Sequence, residues 1–423
     1  MLSFAEALRF WLKLGFISLG GPAGQIAIMH RVLVDERKWI DEQRFLHALN
    51  FCVLLPGPEA TKLATYIGWL LHGTRGGLAA GILFVLPGAL VMLALSLLYA
   101  LGRDVPVVEG ALFGIKAAVL VIVVEALLRI GRRALKTRLL AGVAAAGFVG
   151  IFFFNLPFPL IVVAAALIGY FTTQAAGGRM QLSGGWRHAR RSLVIGLVLW
   201  CAPLIAVFIA LGADHVLSDV GLFFAKLAVV SFGGAYALLA YMAQQAVETY
   251  HWMSAPEMVD GLGLAETTPG PLILVTQFVG FLAAYRDAAP FPPVAAGVLG
   301  AALTTWVTFV PPIALIFAGA PFVEELRANQ RLSGALAGIT AAVVGVILNL
   351  TVWFALHVLF GAISEVRAGA LRWYVFDPLA LDVKVAALAA LAAVLAFVFR
   401  RGLVELVLVM AALGIALRFL LTV

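Results

Sequence analysis

The sequence predicts an all-α polytopic membrane protein made of two homologous repeats in inverted topology, with broken or re-entrant helices. Three observations predict this. The 423 residues are 63% hydrophobic and 12% charged, about half the charge of a soluble globular chain. The apolar residues gather into thirteen runs, most near the roughly 20 residues a spanning helix needs. Finally, Lys13, Ser18, Gly20, Gly21, Met29, Trp39, Pro56, Gly57 and Pro58 return as Lys226, Ser231, Gly233, Gly234, Met242, Trp252, Pro269, Gly270 and Pro271. The offset is 213, the difference between Lys226 and Lys13 and equally between Pro269 and Pro56. Helix breakers and a cation thus recur in both halves where a bilayer tolerates them least.

The runs lie near 8–30, 45–71, 77–101, 108–130, 138–154, 157–173, 192–211, 222–247, 258–284, 291–317, 332–360, 379–399 and 402–421, and all are expected to be helical. The first carries Glu6, Arg9 and Lys13 with no small-residue cleavage site, so it is expected to stay in the mature protein. Cys52 and Cys201 are far apart inside apolar runs and support neither a disulfide framework nor a metal cluster. No cofactor is expected. The net charge of +7 resides largely in short loops, where basic residues orient a chain in the membrane. The lipid bilayer, not nucleic acid, is the expected partner.

A second similarity, Gly110 to Val119 against Gly334 to Val343, has an offset of 224, so eleven residues were inserted between the matching stretches. Each copy covers four runs, with two less similar runs trailing. The domains expected are 1–173, the first repeat; 174–221, a cytoplasmic basic loop and linking helix; and 222–423, the second repeat. Seven steps lead from each run to its counterpart, the first run matching the eighth, and if parity holds this odd number makes the second copy enter from the opposite side.

Two threadings compete. Either every run spans, or the first two runs of each half dip in and return. Re-entry moves the loop holding Arg31, Arg37, Lys38 and Arg44 to the inside and leaves Arg103, Arg286, Arg367 and Arg372 as the lysines and arginines of the outside loops. The positive-inside rule favours it, although Asp35, Glu36, Asp41 and Glu42 share that loop.

At Ser18-Leu-Gly-Gly-Pro-Ala-Gly24 the glycines admit a turn with positive φ, and Pro22 suits the first position of a new helix. A half-helix is predicted to begin there. Pro56-Gly57-Pro58 reads alike and opens a stretch carrying Glu59, Thr61 and Lys62; Pro269-Gly270-Pro271 repeats it, while Ser231-Phe-Gly233-Gly234 is followed by Ala235 in place of proline. Each helix N-terminus carries about half a positive charge, so four together supply about +2, sufficient for a doubly charged anion. Lys13 and Lys226, each five residues before its serine, are expected to add to this.

The substrate-binding candidates are therefore Lys13, Ser18, Gly20, Gly21, Pro22, Pro56, Gly57, Pro58, Lys226, Ser231, Gly233, Gly234, Thr267, Thr268, Pro269, Gly270 and Pro271. Secondary candidates are Gln25 and Lys62; Lys62 and Lys116 lack basic counterparts, facing Val275 and Thr340. The bland reading of the lysines is snorkelling, and of the glycines close helix packing. Among the acids, Glu266 is the leading proton-coupling candidate, because it stands beside Thr267 and Thr268 where the first half has Val53. Glu59 is the second, with a first-turn dipole partner as its plain reading. Glu125 pairs locally with Arg129, and Trp39 and Trp252 read as interface anchors. The predicted cargo is a small oxyanion. An anion channel would use the same half-helices, whereas no hydrolase or metalloprotease motif supports a membrane enzyme.

Gly15-Phe-Ile-Ser-Leu-Gly-Gly-Pro22, Pro56-Gly-Pro58, Ser231-Phe-Gly-Gly234 and Glu266-Thr-Thr-Pro-Gly-Pro271 resemble, in order and spacing, the motifs of the chromate ion transporters. Leu19 and Ala235 depart from the family pattern, which often has Phe and Pro there. The resemblance covers essentially the whole chain. It implies a long two-domain member in a bacterial inner membrane, exporting chromate on a proton gradient or the membrane potential and so giving chromate resistance; the loop charges lead us to expect a cytoplasmic N-terminus and a periplasmic C-terminus. Sulfate or another oxyanion, including uptake, is the alternative cargo, and a homodimer is a candidate assembly.

Overall fold

Capping chemistry marks where the apolar runs become helices. The computed structural model describes residues 2–19, 21–173, 186–232, 235–322, 330–361 and 363–420. Ser3 accepts from the Glu6 N–H at 3.2 Å and opens α1 (Phe4–Ile17). Next come α2 (Gly21–His30), prolonged by a π turn to Glu36, and α3 (Glu42–Leu54), capped by Asp41. α4 (Glu59–Gly102) is kinked where His72 leaves helical geometry and Gly73 has a φ of 60°.

Runs 8–30 and 45–71 are therefore each interrupted at the predicted motif. The pieces α1, α2 and α3 have 14, 10 and 13 residues, roughly 21, 15 and 20 Å, shorter than the roughly 30 Å hydrocarbon core. The path after the first break is explicit. Arg37 pairs with Glu6 at 3.1 Å, and the Trp39 ring meets Phe10 at 5.2 Å. The loop after α2 thus lies beside the start of α1, so the chain runs along α1 and returns along α2.

The long helices follow. α5 (Pro106–Ala134) starts on a proline, α6 (Arg138–Phe154) is capped by Thr137 and ends on left-handed Asn155, and α7 (Phe158–Thr172) precedes α8 (Trp186–Leu211). Then come α9 (Val216–Val229), α10 (Ala235–Gln244) with a π turn to Thr249, and α11 (Ala255–Thr267). A 3₁₀ turn (Leu272–Leu274) leads into α12 (Val275–Arg286), followed by α13 (Pro293–Gly319) and α14 (Gln330–Leu359). α15 (Val383–Ala393) and α16 (Leu403–Leu420) close the chain. Six of these helices, α4, α5, α8, α13, α14 and α16, are long and apolar enough to cross a membrane.

Backbone detail recurs at the same offset as the residues. α3 and α11 are 213 positions apart at both ends, and the positive φ of Lys38, 50°, returns at His251, 53°. A feature the apolar runs did not announce is the antiparallel hairpin of β1 (Ile363–Ala368) and β2 (Leu371–Phe376), turning at Gly369. Its Arg372 is buried, donating to Glu248 at 3.0 Å and to the Ile151 carbonyl at 2.9 Å.

Two compact units divide the chain. The first comprises 1–96, 173–235 and 268–333; the second comprises 97–172, 236–267 and 334–423. Each draws residues from both sequence repeats. In the first, α12 and α13 approach through Gly280 and Gly300, and α8 locks to α13 by reciprocal bonds, Trp200 to the Val307 carbonyl and Trp306 to the Leu199 carbonyl. In the second, α5 and α16 meet at Gly110, Gly114 and Gly414, where any Cβ would strike the facing backbone.

Candidate functional site: crossed helix breaks

The four breaks pair crosswise within the first unit. The Gly57 N–H donates to the Ser231 carbonyl at 2.9 Å, and the Gly270 N–H donates to the Ser18 carbonyl at 2.8 Å. Each Pro-Gly-Pro turn therefore binds the serine break of the other half. Gly57 and Gly270 have φ of 108° and 88°, values that cost a side chain about 1–2 kcal/mol. A Cβ at Gly57 would also collide with Pro312 of α13. Glycine is required there for both reasons.

Beside these crossings the helices α2 and α4 begin at Gly21 and Glu59, and the 3₁₀ turn leading to α12 begins at Leu272. Walls are shared: a Cβ at Gly88 of α4 would strike the Pro269 carbonyl, and Gly81 of α4 faces Ile313, next to Pro312. Gln25 sits on the second crossing, its Nε2 donating to the Gly270 and Ser18 carbonyls. That engagement makes it a brace for the two backbones.

Buried polar groups gather on the elements that form the crossings. Ser18 and Thr61 are fully buried, and their hydroxyl oxygens have no hydrogen-bond partner among the described residues; the hydroxyl of Thr308, buried one turn before Pro312 on α13, has none among them either. Lys62 is 1% exposed, and its Nζ donates to the Leu55 carbonyl of the first Pro-Gly-Pro turn. It makes no ion pair among the described residues; Glu59, three positions earlier, is half-buried. A buried ammonium and free hydroxyls near helix N-termini form a donor-rich environment that favours an anion.

Not every candidate meets here. Lys13 and Lys226 lie on exposed faces of α1 and α9, away from the buried stripes, and the structure does not bring them to the crossings. Gly20, Gly233 and Gly234 fall outside the described residues. Pro22 is the second residue of α2, and Pro56, Pro58 and Pro271 flank the crossing glycines. Ser231 spends its hydroxyl proton on the Ala228 carbonyl at 2.8 Å, unlike Ser18. Thr268 is buried just before Pro269.

In the second unit Glu266 is buried on α11 and accepts from the Tyr236 hydroxyl at 2.9 Å; Thr267 bonds back to the Leu264 carbonyl. Trp252 is buried and stacked on Tyr250, while Trp39 is partly exposed. Sequence reasoning passed over Thr308 and Asp260. A survey of every acid inside the apolar runs would have found Asp260; nothing in the sequence marks Thr308.

A family model described as chromate transporter matches residues 5–170 and 218–417. The chain belongs to the chromate transporter family. A chromate transport protein of Pseudomonas aeruginosa is 34% identical over 362 residues, covering 82% of this chain and 80% of that protein. A probable chromate transport protein of Synechococcus elongatus is 27% identical, with 83% and 84% covered, and a chromate transport protein of Cupriavidus metallidurans is 27% identical, with 81% and 80% covered. No solved structure matches the chain. The crossed breaks and the buried Lys62 are thus features of a multi-pass chromate transporter family member.

Proposed function

We propose that this family member is a secondary active transporter that exports chromate across the bacterial cytoplasmic membrane, confers chromate resistance, and draws on the proton gradient or the membrane potential. The observation that carries the reading is the crossing of the helix breaks beside Lys62. Chromate is a tetrahedral dianion; the helix starts contribute about half a positive charge each, the lysine a full one, and Ser18 and Thr61 supply hydroxyl donors. A buried lysine with no carboxylate partner among the described residues is costly when alone, and an oxyanion relieves that cost.

The two halves act as inverted repeats, 1–173 and 222–423, joined by 174–221, with the N-terminus cytoplasmic. Their roles differ. The first supplies Ser18, Gln25, Thr61 and Lys62, and the second has Ser231, Leu238, Leu274 and Val275 at those offsets. Conversely the second half holds Glu266 against Val53. One half is specialised for the anion and the other for the proton.

Everted vesicles carrying the protein and energised by respiration test this directly. Chromate should accumulate inside them above its external concentration. Equilibration without accumulation identifies an anion channel, and accumulation of sulfate in preference to chromate reassigns the cargo.

A further inference from the structure

The second unit contains a polar cavity of about 680 Å³ that belongs to none of the helix breaks. Its mouth lies at the starts of α5 and α15 and the end of α16. Around the rim Arg418 pairs with Glu109 at 2.8 Å, Arg103 pairs with Glu257, and Asp382 caps α15 by accepting from the Lys384 and Val385 N–H groups. Asp104 completes the rim. From Glu109 the cavity descends two turns of α5, roughly 10 Å, to Lys116 and Asp260.

Asp260 is 1% exposed, yet it lines this cavity. Oδ2 accepts from the Tyr99 hydroxyl at 2.9 Å; Oδ1 pairs with the Lys116 ammonium at 3.4 Å and has no further partner among the described residues. The groups facing it are therefore Tyr99 from α4, Arg103 just after that helix, Lys116 from α5, and Glu257 one turn earlier on α11. Six residues further along α11, roughly 9 Å, stands the second carboxylate–tyrosine pair, Glu266 with Tyr236. Between them Gly263 packs on Ile115 and Val119, so any side chain there would push α11 off α5.

We propose that Asp260 is a proton-binding site at the floor of this funnel, the outer member of a two-carboxylate path along α11 whose inner member is Glu266. A proton from water in the funnel binds Oδ1, the carboxylate becomes neutral, and Lys116 keeps its charge without its counter-ion. Movement of that uncompensated lysine, or of α11 itself, couples protonation to the rest of the cycle. The inference rests on the proton-coupled export reading, and its test separates the two.

The purified full-length chain and its Asp260→Asn variant are titrated in detergent without any anion, and both are then reconstituted for chromate flux driven by a pH gradient. Asp260→Asn is expected to bind about one proton fewer per chain between pH 5 and 9 and to lose at least tenfold in pH-driven accumulation. Tyr99→Phe, a milder change, removes a hydrogen bond from the charged form; it should move the midpoint of the flux–pH curve upward by about one unit. Should Asp260→Asn fail to insert, the Tyr99→Phe midpoint decides. A proton stoichiometry and a midpoint equal to the parent's overturn the inference. Absence of chromate flux in the parent, with the proton difference intact, overturns the cargo reading and leaves the proton site standing.

Discussion

Replacing Lys62 with methionine, which keeps the unbranched stem of the side chain and removes its charged end, probes the centre of the proposed site. At about 4 Å and an effective dielectric constant of about 20, two unit charges attract by about 4 kcal/mol. Desolvation of the buried ammonium offsets part of this, and hydrogen bonds to charged groups are worth about 1.5–3 kcal/mol net. At 1.4 kcal/mol per decade, that range predicts an increase of about 10- to 150-fold in the KM for chromate. The Leu55 carbonyl also loses its donor, so the amount of protein in the membrane must be measured by immunoblot and rates divided by it. Initial uptake rates in everted vesicles over a range of chromate concentrations give KM. Lys62→Arg keeps the charge in a bulkier fork and should recover part of the affinity. A KM for Lys62→Met within twofold of the parent, with equal protein present, would refute the placement of the anion at this lysine.

Four further outcomes are expected. Gly57→Ala and Gly270→Ala force a side chain into left-handed backbone, at Gly57 against Pro312 as well; each should abolish transport or lower its rate at least tenfold in the same vesicles. Lys13→Ala and Lys226→Ala, altering exposed side chains, should change KM by less than about threefold, and a larger effect would put those lysines on the anion's route. Glu266→Gln should flatten the dependence of transport on pH, a result checked by rates measured from pH 6 to 8, while Tyr236→Phe should shift that dependence. A cysteine at Lys38 should react with an impermeant maleimide in everted vesicles but not in intact cells, because the Arg37–Glu6 and Trp39–Phe10 contacts return this loop to the side of the N-terminus.

The positions of the breaks were legible because glycine and proline act locally. A Pro-Gly-Pro turn cannot continue a helix whatever surrounds it, and the repeat at 213 showed which of the chain's 42 glycines and 18 prolines to weigh. The lysines were a different matter. Lys13 and Lys226 recur symmetrically and Lys62 does not, so symmetry favoured the pair that lies exposed over the one that is buried. Symmetry reports shared ancestry and common backbone geometry. Charge at a site between two repeats needs only one contributor, and a group kept in one half alone is what divergence toward separate roles produces.

The same logic explains Asp260, whose partners Tyr99 and Lys116 come from α4 and α5, more than 140 residues away in sequence. Helical periodicity describes which residues of one helix share a face; it carries no information about which distant helix supplies the counter-charge. Only Gly263, small where α11 meets Ile115 and Val119, hinted that α11 sits tightly against a neighbour. An acid inside an apolar run nevertheless implies a cationic or hydroxylic partner somewhere, because its solitary burial costs several kcal/mol. Lys116, without a basic counterpart in the other half, could have been assigned to that acid by this requirement alone. Unpaired charges of opposite sign within apolar runs are thus best sought as pairs, and the Tyr99–Asp260–Lys116 cluster is what such a search would find first.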